Sequence, residues 1–154
     1  QTDASNFTEL AQQSQRISKV VRGIVDITSV GSNDLTAYAY FSPGDTYTSV
    51  VRYYLASGNT KLLVDVTPMT ANPPIGTPIS ASKRTYTIIS NYYKKTGVNL
   101  FDYYDTTGAL LTLPVANQHV ITTINVNLYE PASHSSNGQQ MSTSVSLRNR
   151  KVNL

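Results

Sequence analysis

The sequence predicts an α+β fold in which one N-terminal amphipathic helix packs on antiparallel β-sheet. Helical three-and-four spacing of apolar residues occurs in the first 25 positions, and strict apolar–polar alternation appears in two later segments. Hydrophobic residues make up 40% of the 154 positions and charged residues 14%. A chain of this length can bury one sizeable core, so we predict a single domain over residues 1–154.

The helix is predicted over about residues 5–24, where an apolar stripe lies opposite a polar face. The predicted helix-to-sheet core consists of Phe7, Leu10, Ile17, Val21 and Ile24. Small Ser14 and Ser18 fall on the same stripe. The polar face includes Glu9, Gln12, Arg16 and Lys19. Asn6 followed by Glu9 is typical of a capping box, and Gly23 indicates the end of the helix.

The region over residues 26–150 is predicted to be β-rich. A short strand is predicted over 26–30. Three strands over 35–41, 48–55 and 61–66 follow, joined by tight turns, which predicts an antiparallel meander. A proline-rich loop follows over residues 67–83, with Pro68, Pro73, Pro74 and Pro78. Because proline lacks the donor that a central strand needs, this segment is a surface crossover between two sheets or a mobile loop with a function.

Later strands are predicted over 85–93, over 100–104 paired with 109–113 as a hairpin, over 120–129, and at the chain's end. In the penultimate strand one face is apolar and the other polar, at Thr123, Asn125, Asn127 and Tyr129. The final strand places Met141, Thr143, Val145 and Leu147 on one face. We predict that the helix packs on the apolar face of these last two strands.

The sequence indicates no catalytic, cofactor-binding or metal site. The sequence has no cysteine, which excludes disulfides, thiolate zinc sites and cysteine nucleophiles. Asp102 and Asp105 fit a strand and the turn after it better than a carboxylate pair. His119 and His134 lack metal-ligand spacing, and phosphate-loop and nucleophile-elbow motifs are absent. We therefore predict that the protein is not an enzyme.

Tyrosines and scattered basic residues are the remaining candidates for binding. The net charge is +3, with small basic clusters at 94–95 and 148–151 that indicate solvated surface or, less strongly, contact with nucleic acid. Three adjacent tyrosine pairs, at 53–54, 92–93 and 103–104, place one ring on each face of a strand. Exposed tyrosines bind sugars, bases or proteins, and Tyr92 and Tyr93 are weak candidates for ligand contact.

Three stretches carry a resemblance to a known family. The first is the helix, with QSQRIS at 13–18 and VVRG at 20–23, leading into the first strand. The second is LFDYYD at 100–105 with Gly108, similar to an FxYYDxxG hairpin. The third is the final strand pair, which closes with SVSLRNR at 144–150. In this order the stretches resemble the soluble part of type IV pilin-like proteins, most closely minor pilins and the J-type pseudopilins of type II secretion.

The resemblance implies a structural subunit with no cofactor. An apolar half-helix preceding the chain would anchor the precursor in the cytoplasmic membrane and then pack in the core of a filament. The β domain would lie on the surface of an extracellular pilus, and Glu9, Gln12, Arg16 and Lys19 would face other pilin subunits. The disulfide loop that many pilins carry near the C-terminus has no counterpart, because the chain lacks cysteine.

Two other functions fit the sequence. A pseudopilin of a type II secretion or DNA-uptake system would share the assembly mode, and the basic residues at 148–151 would support weak, salt-dependent DNA contact. A surface adhesin would instead use exposed tyrosines and the loop at 68–78 to bind a sugar or a host protein.

Overall fold

The described residues, 2–131 and 139–148 of a computed structural model with side chains from Glu9 onward, form one α-helix and two antiparallel sheets. Helix α1 spans Thr2–Arg22. The strands are β1 (Asp26–Val30), β2 (Asp34–Ala39), β3 (Ser49–Ala56), β4 (Lys61–Pro68), β5 (Arg84–Ile89), β6 (Phe101–Tyr104), β7 (Thr123–Glu130) and β8 (Gln139–Ser146). Short 3-10 turns occupy Ser80–Ser82 and Gln118–Val120. The predicted α+β class is confirmed.

Helix α1 begins earlier than the sequence predicts and ends where it predicts. Asn6 lies inside the helix, four residues after its start, so the predicted capping box is wrong; the Asn6 and Phe7 side chains lie outside the described residues. Nothing between Thr2 and Ser5 stops a helix, because this stretch contains neither proline nor glycine. At the other end, the Gly23 amide donates to the Val20 carbonyl at 3.2 Å.

The apolar stripe of α1 packs mainly on β7 and β8, as predicted. The buried side chains on this stripe and just after it are Leu10, Ser14, Ile17, Ser18, Val20, Val21 and Ile24. Ser14 can enter the interface because its hydroxyl hydrogen-bonds that of Thr143 on β8 at 2.6 Å. The end of the helix, around Val21, lies over Ala37 and Val51 of the first sheet. One hydrophobic core therefore joins the helix to both sheets.

The first sheet contains the predicted three-stranded meander and one further strand on each side, in the order β1-β2-β3-β4-β5. A polar network crosses its outer face. Arg52 donates to Asp34 at 2.6 Å, while the Tyr54 and Thr85 hydroxyls donate to Asp65 at 3.0 and 2.7 Å. Burial alone would raise the pKa of Asp65, but these two hydrogen bonds and Lys83 outweigh burial and lower it.

The proline-rich segment does not connect two sheets, which corrects that interpretation. β4 and β5 pair with each other, so the segment is a long connection within the first sheet. Its two ends continue the pairing: the Ile79 amide donates to the Pro68 carbonyl at 2.7 Å, and Met69 bridges Pro78. Proline can accept such bonds although it cannot donate them, which is why this pairing tolerates Pro68 and Pro78.

The second sheet has the order β6-β7-β8, and part of its predicted wet face is buried. Asn127 and Tyr129 on β7 are 6% and 5% exposed. The chain leaves β5 after Ile89, earlier than predicted, and runs beside β7: the Tyr92 hydroxyl donates to the Asn127 carbonyl at 2.8 Å, and the Tyr93 amide donates to the Tyr129 carbonyl at 3.1 Å. The Asn127 side chain itself donates to the Asn99 carbonyl at 2.9 Å and to Asp102 Oδ2 at 3.1 Å. These partners let this polar side chain be buried.

The predicted strand over 109–113 does not form. Leu110 makes an isolated bridge with Tyr104, and the Leu111 amide donates to the Tyr103 carbonyl at 2.8 Å. Pro114 then lacks the donor needed to continue a ladder. The turn itself is as predicted, because the Asp105 carboxylate accepts from the Thr107 and Ala109 amides at 2.9 and 3.1 Å.

Candidate functional site

The polar face of α1 is the first candidate surface. Gln12, Arg16 and Lys19 are exposed, and so is Arg22 one turn further on. None of the three cations forms an ion pair with another described residue. Arg16, Lys19 and Arg22 are spaced three residues apart, so they follow one another along the same side of the helix. This surface, the basic helix face, presents positive charge and amide groups to a partner.

Glu9 lies apart from this surface and contacts Glu130 at the end of β7. The two residues are the only glutamates in the sequence. Glu130 is 3% exposed, its carboxyl hydrogen-bonds that of Glu9, and its Oε1 has no partner among the described residues. Burial, followed by the adjacent Glu9 carboxyl, raises the pKa of Glu130. Glu9 therefore helps hold the helix to the sheet.

In each tyrosine pair the first ring is the more buried one, although Tyr92 and Tyr93 lie beyond the end of β5 and not on a strand as predicted. Tyr92 is 4% exposed and Tyr93 is 38% exposed, with its ring packed edge-on against Tyr129 at 6.4 Å. In the other two pairs, Tyr53 and Tyr103 are buried, while the residue that follows each of them is half-buried. Burial raises the pKa of Tyr53, Tyr92 and Tyr103 above the usual range. Tyr92 is thus a core residue, and a ligand could reach only Tyr93 of the pair.

A cleft of about 320 Å³ opens at the corner of the first sheet beside the β2–β3 loop. Residues from three separate stretches line it, at 41–49, 66–69 and 82–86. Phe41 stacks on Tyr86 with ring centroids 5.5 Å apart and planes inclined by 14°. Tyr47 and Tyr86 are 44% and 43% exposed. This volume falls within the range of small-molecule sites.

The wall of the cleft is held by the proline-rich connection. The Thr48 amide donates to Asn72 Oδ1 at 2.9 Å, and Asn72 Nδ2 donates to the Tyr40 hydroxyl at 3.3 Å. At the turn of this connection Gly76 packs so closely that a Cβ there would lie 1.8 Å from the Ala71 carbonyl oxygen. Only glycine fits this approach, and the connection is fixed against the β2–β3 loop.

The carboxylates considered in the sequence serve local structure. Asp105 caps its turn, and hydrogen bonds from Thr107 and Ala109 lower its pKa. Asp102 accepts from Asn99 and Asn127 at 3.2 and 3.1 Å. Among the side chains described, at 9–131 and 139–148, no three histidines or carboxylates come together as metal ligands would. His134 and residues 149–151 of the basic tail lie outside the described residues.

Comparison with known proteins leaves the family open. No protein-family model matches the chain, and no protein of curated function matches it significantly. In the part of the chain that the structure describes, α1 is not apolar enough to cross a membrane.

Sequence reasoning missed the cleft, because its walls come together only in the fold. One signal was available: in β5, Arg84 and Tyr86 occupy alternate positions and so share a face. An exposed aromatic and an exposed cation on the same face of an edge strand are typical of a binding surface.

Proposed function

We propose that this chain is the soluble domain of a type IV pilus subunit, similar to a minor pilin, which acts by assembly and not by catalysis. The observation that carries the proposal is the division of α1 into a docked face and the basic helix face. The docked face fixes the helix rigidly to the β domain. The helix would therefore determine where the β domain lies when it packs in a filament. The cations at Arg16, Lys19 and Arg22 remain available to neighbouring subunits.

Electrostatics gives this face a defined role in assembly. From Arg16 to Arg22 the helix rises roughly 9 Å, so the three cations form a short stripe. Such exposed charges contribute more to the rate and register of association than to its affinity. The partner is therefore another pilin subunit that presents an acidic surface to this stripe.

The proposal extends to location. The β domain would lie on the outside of an extracellular filament, and an apolar segment preceding α1 would anchor the precursor in the cytoplasmic membrane. These two features come from the resemblance to pilins, and the native N-terminus tests them.

Charge reversal of the basic helix face tests the proposal. The Arg16→Glu, Lys19→Glu pair should abolish or strongly reduce incorporation into surface fibres. The folded domain should lose less than about 1 kcal/mol, because both side chains are exposed and the main cost is negative charge near the helix C-terminus. A matched control, Lys61→Glu with Arg148→Glu, reverses two exposed charges elsewhere and should assemble normally. Normal fibres from the first variant would contradict the proposal.

A pseudopilin of a secretion or DNA-uptake system would use the same helix face, and the cell phenotype of the variant separates the two. Loss of fibres indicates a pilus subunit, whereas loss of secretion or of DNA uptake with intact fibres indicates a pseudopilin.

A further inference from the structure

We infer that the cleft beside the β2–β3 loop binds a sugar ring that carries a carboxylate. This inference does not rest on filament assembly, because the cleft is formed by the first sheet and its loops alone. It also lies away from the basic helix face: no described residue of α1 lines it.

The position of the cleft follows from the sheet. Tyr86 and Arg84 stand opposite Val64 and Val66 in the β4–β5 register, so all four side chains project from the inner face. Val64 and Val66 are buried in the core, whereas Tyr86 is 43% exposed. The end of α1 lies over Ala37 and Val51 on this face, and no described residue of the helix reaches the cleft. Tyr86 therefore presents an apolar ring surface to solvent beside the core.

The aromatic groups provide a platform for one face of a ligand. Phe41 stacks on Tyr86, and Tyr47 of the β2–β3 loop also lines the cleft. A pyranose presents a face of C–H bonds that packs on such rings, while its edge carries hydroxyl groups. Tyrosine suits this contact because its body is apolar and its tip is polar.

The polar lining excludes a purely apolar ligand. Ser42, Thr46 and Ser82 line the cleft as exposed side chains, together with Asp45. Asp45 Oδ2 accepts from the Ser42 amide at 3.0 Å, and Asp45 Oδ1 accepts from no described residue. Removing these groups from water without new hydrogen bonds would be costly, whereas sugar hydroxyls both donate and accept.

Arg84 selects for negative charge. It lines the cleft and forms no ion pair with any described residue, unlike its neighbour Lys83, which lies 3.4 Å from Asp65. A guanidinium binds a carboxylate through two parallel hydrogen bonds. A nucleic-acid strand fits less well, because a repeated phosphate backbone would meet one free cation and the Asp45 carboxylate.

The wall of the cleft is preformed. The Thr48–Asn72–Tyr40 hydrogen bonds tie the β2–β3 loop to the proline-rich connection, and Gly76 packs against Ala71. Little ordering entropy is then lost when a ligand enters, which is what a small, polar ligand needs for measurable affinity.

Amide chemical shifts of the labelled 154-residue domain test the inference. The probes are D-glucuronate, D-galacturonate and N-acetylneuraminate, with D-glucose as the neutral match and hexathymidylate as the nucleic-acid arm. At least one acidic sugar should shift amides at 41–49 and 82–86, at concentrations about tenfold lower than glucose requires. No shift from any acidic sugar, equal response to glucose, or a response confined to hexathymidylate would each overturn the inference.

Variants separate the two parts of the site. Arg84→Gln should weaken the acidic sugar about tenfold and leave glucose unchanged, whereas the control Lys61→Gln should change neither. Tyr86→Ala should abolish binding and Tyr86→Phe should retain it, since the phenyl ring preserves stacking. Binding that survives Tyr86→Ala and Tyr47→Ala but fails in Tyr93→Ala would place the site elsewhere and contradict the assignment.

Discussion

Replacing Glu130 with glutamine should stabilise the domain at neutral pH and remove most of one pH dependence. Glu130 is 3% exposed, and its Oε1 has no partner among the described residues. Burial and the Glu9 carboxyl therefore raise its pKa in the native state. A group with a raised native pKa binds more protons when folded, so its stabilisation is complete below the unfolded pKa of about 4.3 and is lost as pH rises through the native pKa.

The magnitude follows from one proton. When the native state binds one proton more than the unfolded state, the free energy of unfolding falls by at most about 1.4 kcal/mol for each unit that the pH rises. Between pH 5 and pH 7 the unaltered protein should therefore lose about 2 kcal/mol through Glu130. Glu130→Gln keeps the shape and the hydrogen-bonding capacity of the side chain but cannot ionise, so its stability should change much less over the same range.

Urea denaturation followed by far-ultraviolet circular dichroism measures this difference at pH 5, 6 and 7. Both proteins contain the same two histidines, His119 and His134, so any contribution from these residues cancels in the comparison. Asp45→Asn, which neutralises an exposed carboxylate, should keep the slope of the unaltered protein. Equal slopes in the unaltered protein and in Glu130→Gln would refute the reasoning.

Three further predictions concern stability. Ile17→Ala should lower the free energy of unfolding by about 2–5 kcal/mol, because Ile17 is 1% exposed between helix and sheet. Gln15→Ala, at an exposed position, should change it by no more than about 0.5 kcal/mol. Equal urea midpoints for the two variants would contradict this packing. Gly76→Ala should cost about 1–3 kcal/mol through its clash with Ala71, whereas Gly44→Ala should cost little because a Cβ there meets nothing within 4 Å. Thermal melting compares the two variants, and an unchanged melting temperature in Gly76→Ala would show that the connection is free to move. Hydrogen bonds lower the native pKa of Asp65, so the stabilisation from its carboxylate is present above the unfolded pKa of about 3.9 and is lost as pH falls through the native pKa. Asp65→Asn should therefore be less stable than the unaltered protein at pH 7 but nearly equal to it at pH 2. A difference in stability that stays constant with pH would contradict this.

The helix and most strands could be predicted because their signals are local. Leu10, Ile17 and Val21 repeat at helical spacing, and Ile124, Val126 and Leu128 alternate, so each pattern reveals one buried face. The start of α1 was less predictable, because a polar first turn carries no apolar periodicity. Propensity alone does not decide whether such residues continue a helix.

The features that could not be predicted depend on contacts between distant segments. Asn127 can be buried because its side chain hydrogen-bonds Asn99 and Asp102, and nothing in the strand's own alternation indicates those partners. Glu9 has the spacing of the polar helix face, but its carboxyl hydrogen-bonds that of Glu130, which is more than a hundred residues away in sequence. Glu9 therefore lies at the contact between helix and sheet. The cleft likewise joins Tyr47 to Tyr86 across two loops. Periodicity identifies which side of an element is apolar, but it does not identify what covers the other side.

The most direct test of the filament proposal is the composition of native surface fibres. Fibres sheared from cells that express the natural protein would be purified, and this chain and its true N-terminus identified by mass spectrometry. The proposal predicts the chain in the fibres, preceded by an apolar segment with a processed first residue. Recovery of the chain solely as a secreted, soluble species that starts near Gln1, with none in the fibres, would contradict it.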